Sequence, residues 1–166
     1  MELEVFDAVL VKDTLGKHHK YPIRGRDSNG EIDIQRRYSE FAKFREILVR
    51  NYIGLYIPPI PEKQVMNKTD EYLTRERQYF LNLFCKQCSQ LKYLVSSYEL
   101  QVFLRPQGKC EDALSRIARP RTDDVLGVYR ATCPINENTD DRTITFYNNE
   151  IREFAKGQKA LIENFK

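Results

Sequence analysis

The chain holds 166 residues, 41% of them hydrophobic and 31% charged, with a formal net charge of +3 at neutral pH. That length supports one domain with a real core plus an appendage, and ordinary hydrophobic content with only 7 Gly and 7 Pro excludes a disordered chain. No apolar run approaches the roughly 18 to 20 residues that cross a bilayer, and the N-terminus opens directly on "MELEVFDAVLV", so neither a spanning helix nor a secretory leader is expected.

Four cysteines are too few for a disulfide scaffold. Cys85 and Cys88 have CxxC spacing, but they lie in a helical pattern without a second Cys or His pair at zinc spacing. Reduced, partly buried thiols and a cytoplasmic setting are therefore expected, with no metal and no cofactor. The basic excess sits early: 17 of the 27 Lys and Arg against 14 of the 24 Asp and Glu fall in residues 1–105. This even mix disfavours a nucleic-acid partner and does not oppose docking on an anionic membrane.

Leu3 and Val5 alternate with Glu2 and Glu4, after which the apolar phase slips to Phe6, Ala8 and Leu10. A slip of one in a period of two predicts a bulged or bent strand. "YPIRGRD" gives a second strand, and "SNG" before "EIDIQR" a hairpin turn in which Asn29-Gly30 takes positive φ. Three antiparallel strands are predicted. From Ser39, as N-cap, the period becomes helical, with Phe41, Phe44, Ile47, Leu48 and Tyr52 on one stripe and Glu40 in the first turn.

The prolines of "YIPPIPEKQVMNKT" predict an extended stretch. A second helix is expected after Thr69 or Asp70, with Leu73, Phe80, Phe84 and Cys88 on its apolar face, and "LKYLVSSYELQVFL" closes the domain near Arg105. Beyond Pro106, "CEDALSRIA" and "TDDVLGVYRA" each predict about two helical turns. At the end, Ile144, Tyr147, Ile151, Phe154, Gln158, Leu161 and Phe165 keep a 4-3 heptad alternation, with no stop signal before Lys166, so a continuing helix is expected.

In "RRYSEF", residues 36–41, Arg36 continues the phase of Ile32 and Ile34, whereas Arg37 joins Asp33 and Gln35 on the polar side. Arg37 is thus the better ligand candidate: it precedes a helix N-terminus that favours anions, and its planar fork suits phosphate. Tyr38 offers an aromatic face beside it. An ordinary surface arginine beside a core tyrosine fits these residues equally well. Arg77 takes a slot on the second helix's apolar stripe, so it needs a partner, which is either an internal carboxylate or a bound anion or polyol. Lys63 alone reads as a solvated lysine.

"RRYSEF", a helix, "PPIPEK" and then "RERQYFLNLF" on a second helix resemble the PX (phox homology) domain over residues 1–105. The resemblance implies an α+β fold, a three-stranded antiparallel sheet packed on a helical subdomain, with residues 106–166 as a C-terminal helical extension. It implies binding of phosphoinositides, most often phosphatidylinositol 3-phosphate, on endosomal membranes, and no catalysis. Carried over by position, Arg37 meets the 3-phosphate, Tyr38 stacks on the inositol ring, Lys63 meets the 1-phosphate and Arg77 holds the ring hydroxyls. Ser39 belongs to the same lipid-binding motif, where its phosphorylation would repel the head group.

In "QVMNKT", Val65 and Met66 are expected to insert in the bilayer and Lys68 to meet anionic head groups, as the family's loop does. Full burial of two such side chains is worth roughly 3 to 6 kcal/mol at most. A micromolar affinity needs about 8 kcal/mol, so head-group contacts and loop are both required. Lys43 and Arg45 leave open which phosphoinositide is preferred. A PX domain followed by an amphipathic helix resembles the PX-BAR type of sorting nexin, here truncated, and implies a homo- or heterodimer through that helix. Against this stand a terminal helix folded back on the domain, and a protein-interaction module that uses the PxxP spacing of "PPIP" or the heptads. His18 and His19 fall in a predicted loop, and no Ser, Cys or carboxylate pair has an activating partner, so an enzyme is not expected.

Overall fold

The computed structural model describes residues 1–13, 16–62 and 71–133, and the isolated positions 145, 146, 149, 152, 153 and 156. Met1–Thr132 forms one compact unit and Cys133–Lys166 another.

In the first unit, β1 (Glu2–Val5) and β2 (Val9–Asp13) lie along one edge of the long β3 (Gly16–Asp27), and β4 (Gly30–Arg37) lies along its other edge, all antiparallel. Between the pairs Val5↔Ile23 and Val9↔Lys20, the first strand advances four residues while β3 advances three. The extra residue is the bulge that the slipped phase predicts, and it makes three rows out of four strand segments. Of the apolar positions after the slip, Phe6 and Leu10 are exposed, whereas Ala8 is half-buried against the core. The β3–β4 turn places positive φ on Gly30 alone, at 115°, where the absence of a Cβ removes the strain.

α1 (Tyr38–Asn51) buries Phe41, Phe44, Ile47 and Leu48 as their spacing predicts. α2 (Glu71–Gln90) buries Leu81, Phe84, Cys85 and Cys88. Phe80 is instead exposed and lies edge-on to Tyr79 at 5.3 Å, so the expected stripe through Leu73 and Phe80 is rotated from the true inner face. The helix carries aromatic residues on two sides, and spacing alone does not say which side is inner. Burial pushes the thiol of Cys88 up to about 12 and that of Cys85 well above its usual value, which keeps both protonated and inert.

Phe44 stacks on Phe103 of α4 (Tyr98–Leu104) at 4.4 Å, and Phe41 meets Tyr21, Phe84 and Phe103 edge-on. These rings join sheet to helices. α2 also closes the sheet edge at β1, where Asn82 Oδ1 accepts from the Val5 N–H at 3.0 Å and Gln78 Nε2 donates to the Val5 carbonyl at 2.7 Å.

α3 (Lys92–Val95) leads into α4. The compact unit continues past position 105: Cys110 and Leu114 of α5 (Cys110–Ser115), and Ile117 after it, lie in the same core. Lys43 Nζ donates to Ser115 Oγ at 2.5 Å and Arg50 to the Ile117 and Ala118 carbonyls, which ties this segment to α1. α6 (Thr122–Thr132) follows, and its Tyr129 hydroxyl donates to the Ile53 carbonyl. In the second unit Cys133 lies in a bend and the other described positions are helical, with Lys156 Nζ 2.7 Å from Glu153 Oε1. The seven heptad residues from Ile144 to Phe165 lie outside the described residues.

Candidate functional site

The pleat of β4 sends its two terminal arginines to opposite faces. Arg36 pairs with Tyr21 across the ladder and is buried, at 8% exposure. Its Nε and Nη2 donate to the Phe103 carbonyl at 2.9 and 2.8 Å, Nη2 reaches Leu104 O at 3.4 Å, and its guanidinium lies over the Phe103 ring at 5.6 Å. It caps the end of α4, so its charge is spent on carbonyls. Arg37 pairs with Lys20 on the other face and is half-buried.

Arg37 is also the N-cap of α1, with φ −79° and ψ 156°, and its own N–H donates to Glu40 Oε2 at 2.6 Å. The expected cap, Ser39, lies instead in the first turn and is exposed. No Ser, Thr, Asp or Asn marks the true cap. The helix begins two residues early because the reaching Glu40 carboxylate satisfies the backbone there.

Tyr38 opens α1. Its hydroxyl donates to the Pro61 carbonyl, and Arg45 Nε donates to the Pro58 carbonyl at 2.9 Å. These bonds hold the proline stretch against α1, with Pro58 buried, and bring positions 61 and 62 beside Tyr38. The guanidinium of Arg77 stands over the Tyr38 ring at 4.7 Å. It sits on the inner side of α2, one turn before Leu81, and no carboxylate among the described residues forms an ion pair with it. The cation–π contact with Tyr38 and a hydrogen bond with Tyr21 are its observed interactions.

Tyr21 and His19 also lie within reach of the Arg77 charge, which the sequence does not announce. His18 and His19, expected in a loop, are in β3, where His19, Tyr21 and Ile23 share a face by alternation. Burial raises the Tyr21 hydroxyl against the opposing pull of the Arg77 charge and its hydrogen bond. Burial likewise raises Tyr38. Burial first, then the Arg77 charge, lowers His19 below its ordinary 6.5. At neutral pH both hydroxyls are therefore protonated and His19 is uncharged, so the arginines supply the positive charge.

The structure thus brings Tyr38 and Arg77 together, with Arg37 adjoining at the mouth of α1 and Lys20 across the ladder from it. Lys63, Val65, Met66 and Lys68 lie outside the described residues. Of the two further cations considered, Lys43 is turned to Ser115 and Arg45 to the proline stretch.

Comparison with known proteins gives the same fold. The chain is 31% identical over 111 residues to the vacuolar protein sorting-associated protein vps5 of Schizosaccharomyces pombe, covering 63% of this chain and 19% of that protein. It is 31% identical over 123 residues to sorting nexin-41 of Saccharomyces cerevisiae, covering 69% and 19%. The chain therefore spans about a fifth of the length of these curated relatives. A designed CISK-PX domain matches with a TM-score of 0.58 at 24% identity, over 63% of this chain and 99% of that one. The SNX-BAR Mvp1 tetramer matches with a TM-score of 0.51 at 17% identity, over 93% of this chain and 45% of that one. The profile of the PX domain matches residues 25–107, half of the sequence, and the chain belongs to the PX domain family of phosphoinositide-binding, membrane-targeting modules.

Proposed function

We propose that this chain is the lipid-reading part of a sorting nexin, a non-enzymatic module that recognises phosphatidylinositol 3-phosphate on endosomal membranes. The observation that carries the reading is the Arg77 guanidinium over the Tyr38 ring, beside Arg37 at the α1 N-terminus. A 3-phosphate at Arg37 gains a bidentate donor and the free N–H groups of the helix start. The inositol ring packs on Tyr38, and Arg77 donates to its hydroxyls. Lys63 takes the 1-phosphate, while Val65, Met66 and Lys68 add the bilayer contacts that raise a weak head-group affinity to a useful one.

Residues 1–105 form the PX domain in this reading, and 106–166 an extension that leads into a BAR-type dimerising helix. The likeness to vps5, the sorting nexins and an SNX-BAR protein supports that assignment. Use of "PPIP" by a protein partner is disfavoured, because Pro58 is buried and the Pro58 and Pro61 carbonyls are engaged within the chain.

Flotation with liposomes containing each phosphoinositide in turn tests the reading. Preferential flotation with the 3-phosphate lipid is expected. Equal flotation with all acidic lipids would reduce the module to a nonspecific cationic surface.

A further inference from the structure

A concave site lies at the C-terminal end of α1. A cavity of about 710 Å³ opens where the α3–α4 turn meets α6, lined by Tyr52, Tyr93, Tyr98, Glu99 and Val128, with Lys92 on the lining as well. Glu99 is a buried carboxylate, 9% exposed. Its Oε1 accepts from Asn51 Nδ2 at 2.7 Å and its Oε2 from the Tyr52 hydroxyl at 3.1 Å, both neutral donors. Among the described residues it forms no ion pair, so its negative charge is held in place without being neutralised.

Aromatic rings surround it. The Tyr52 and Tyr93 centroids are 6.0 Å apart at 38°, and Tyr93 is anchored by donating to the Tyr56 carbonyl at 2.6 Å. Tyr98 is 70% exposed. Burial and the Glu99 charge push the Tyr52 hydroxyl up to about 12, so it remains a neutral donor to the carboxylate. Ring faces, one fixed carboxylate and an apolar wall from Val128 are the elements that recognise alkylated ammonium groups.

We propose that this cavity binds an organic ammonium group carried on a lysine-type side chain of a partner protein. A choline head group offers the same chemistry. α1 has 14 residues, so Tyr52 at its end is about 21 Å from Tyr38 at its start, which separates the cavity from a lipid held there. The preference for a protein-borne ammonium over a membrane-borne one rests on the lipid reading above, whereas the ammonium specificity does not. Lys92 is exposed at the start of α3, and its like charge weakens the site.

The test is a titration of the isotope-labelled 166-residue chain with choline and with 3,3-dimethylbutan-1-ol, its uncharged isostere, read by backbone amide shifts. Choline should move residues 93–99 and 128–132 saturably, and the alcohol should not. Tyr98→Ala should weaken choline by about tenfold with an unchanged melting temperature, Glu99→Gln should weaken it, and Lys92→Ala should tighten it. Equal responses to both probes, or none at these residues, would overturn the site. Nα-acetyl-trimethyl-lysine amide should shift the same residues, whereas phosphatidylcholine vesicles should not; the reverse would overturn the protein source. Arg37→Ala should leave the choline titration unchanged, so failure of the lipid reading is seen separately.

Discussion

Truncating Arg36 to alanine removes the guanidinium donor from the Phe103 and Leu104 carbonyls and leaves the buried Phe103 carbonyl only the weak Cys110 Sγ donor at 4.0 Å. A loss of roughly 2 to 3 kcal/mol in denaturant unfolding is expected. Arg37→Ala, one residue on, should cost less than about 1 kcal/mol and abolish binding to 3-phosphoinositide liposomes. The period of two made this division legible, since Arg36 follows Ile32 and Ile34 while Arg37 follows Gln35. What Arg36 does on its face was not legible, because its acceptors lie 67 and 68 residues away. Ser39 belongs at this scale too. It is exposed in the first turn of α1, so phosphorylation adds about 1.5 to 2 negative charges beside Arg37 and should lower liposome affinity at least tenfold. An undiminished affinity of the phosphorylated protein would contradict that placement.

At the scale of elements, the β3–β4 hairpin is fastened to the end of α4 by Asp27. Arg105 Nη1 and Nη2 reach its carboxylate at 2.6 and 2.9 Å, with the Asp27 side chain only 2% exposed. The Arg105 hydrogen bonds hold this carboxyl below its ordinary 3.8. The stabilisation is present above that ordinary value and is lost as pH falls through the lower folded value. Asp27→Asn should therefore destabilise by about 1 to 2 kcal/mol at pH 7, with the difference from the parent shrinking below pH 3.8. A constant difference down to pH 2 would contradict the assignment. Elements themselves were largely legible: the bulge in the first row and the apolar stripe of α1 follow from period alone. The α2 face was misjudged because Phe80 and Tyr79 satisfy each other on the outside. The strand position of His19 was missed because "KHHK" has no apolar alternation to announce it.

For the molecule as a whole, the helices after Arg105 finish a core that the sheet and α1 leave open. Leu114 is 1% exposed and packs in the same cluster as Phe44 and Phe103. Leu114→Ala should cost about 2 to 4 kcal/mol, and a chain ending at Arg105 should melt below one ending at Thr132. Equal melting temperatures would show that α5 only rests on the surface. The composition change after Pro106 suggests a boundary there, yet Cys110, Leu114 and Ile117 lie in the same core; their i, i+4, i+7 spacing announces an apolar face but not what that face packs against. The candidate site was legible in its parts, as arginines set against an anion-favouring helix start and on an apolar stripe. The contact of Arg77 with Tyr38 was not, since it depends on how α2 crosses α1.

The account rests on Arg37, Tyr38 and Arg77 serving one head group, and the most direct measurement is an amide-shift titration with water-soluble dibutanoyl phosphatidylinositol 3-phosphate. The account predicts saturable shifts centred on residues 37–40 and 77 in the parent chain, abolished by Arg37→Ala and weakened by Arg77→Ala while both variants stay folded. Shifts centred elsewhere, or a titration unchanged in both variants, would contradict it.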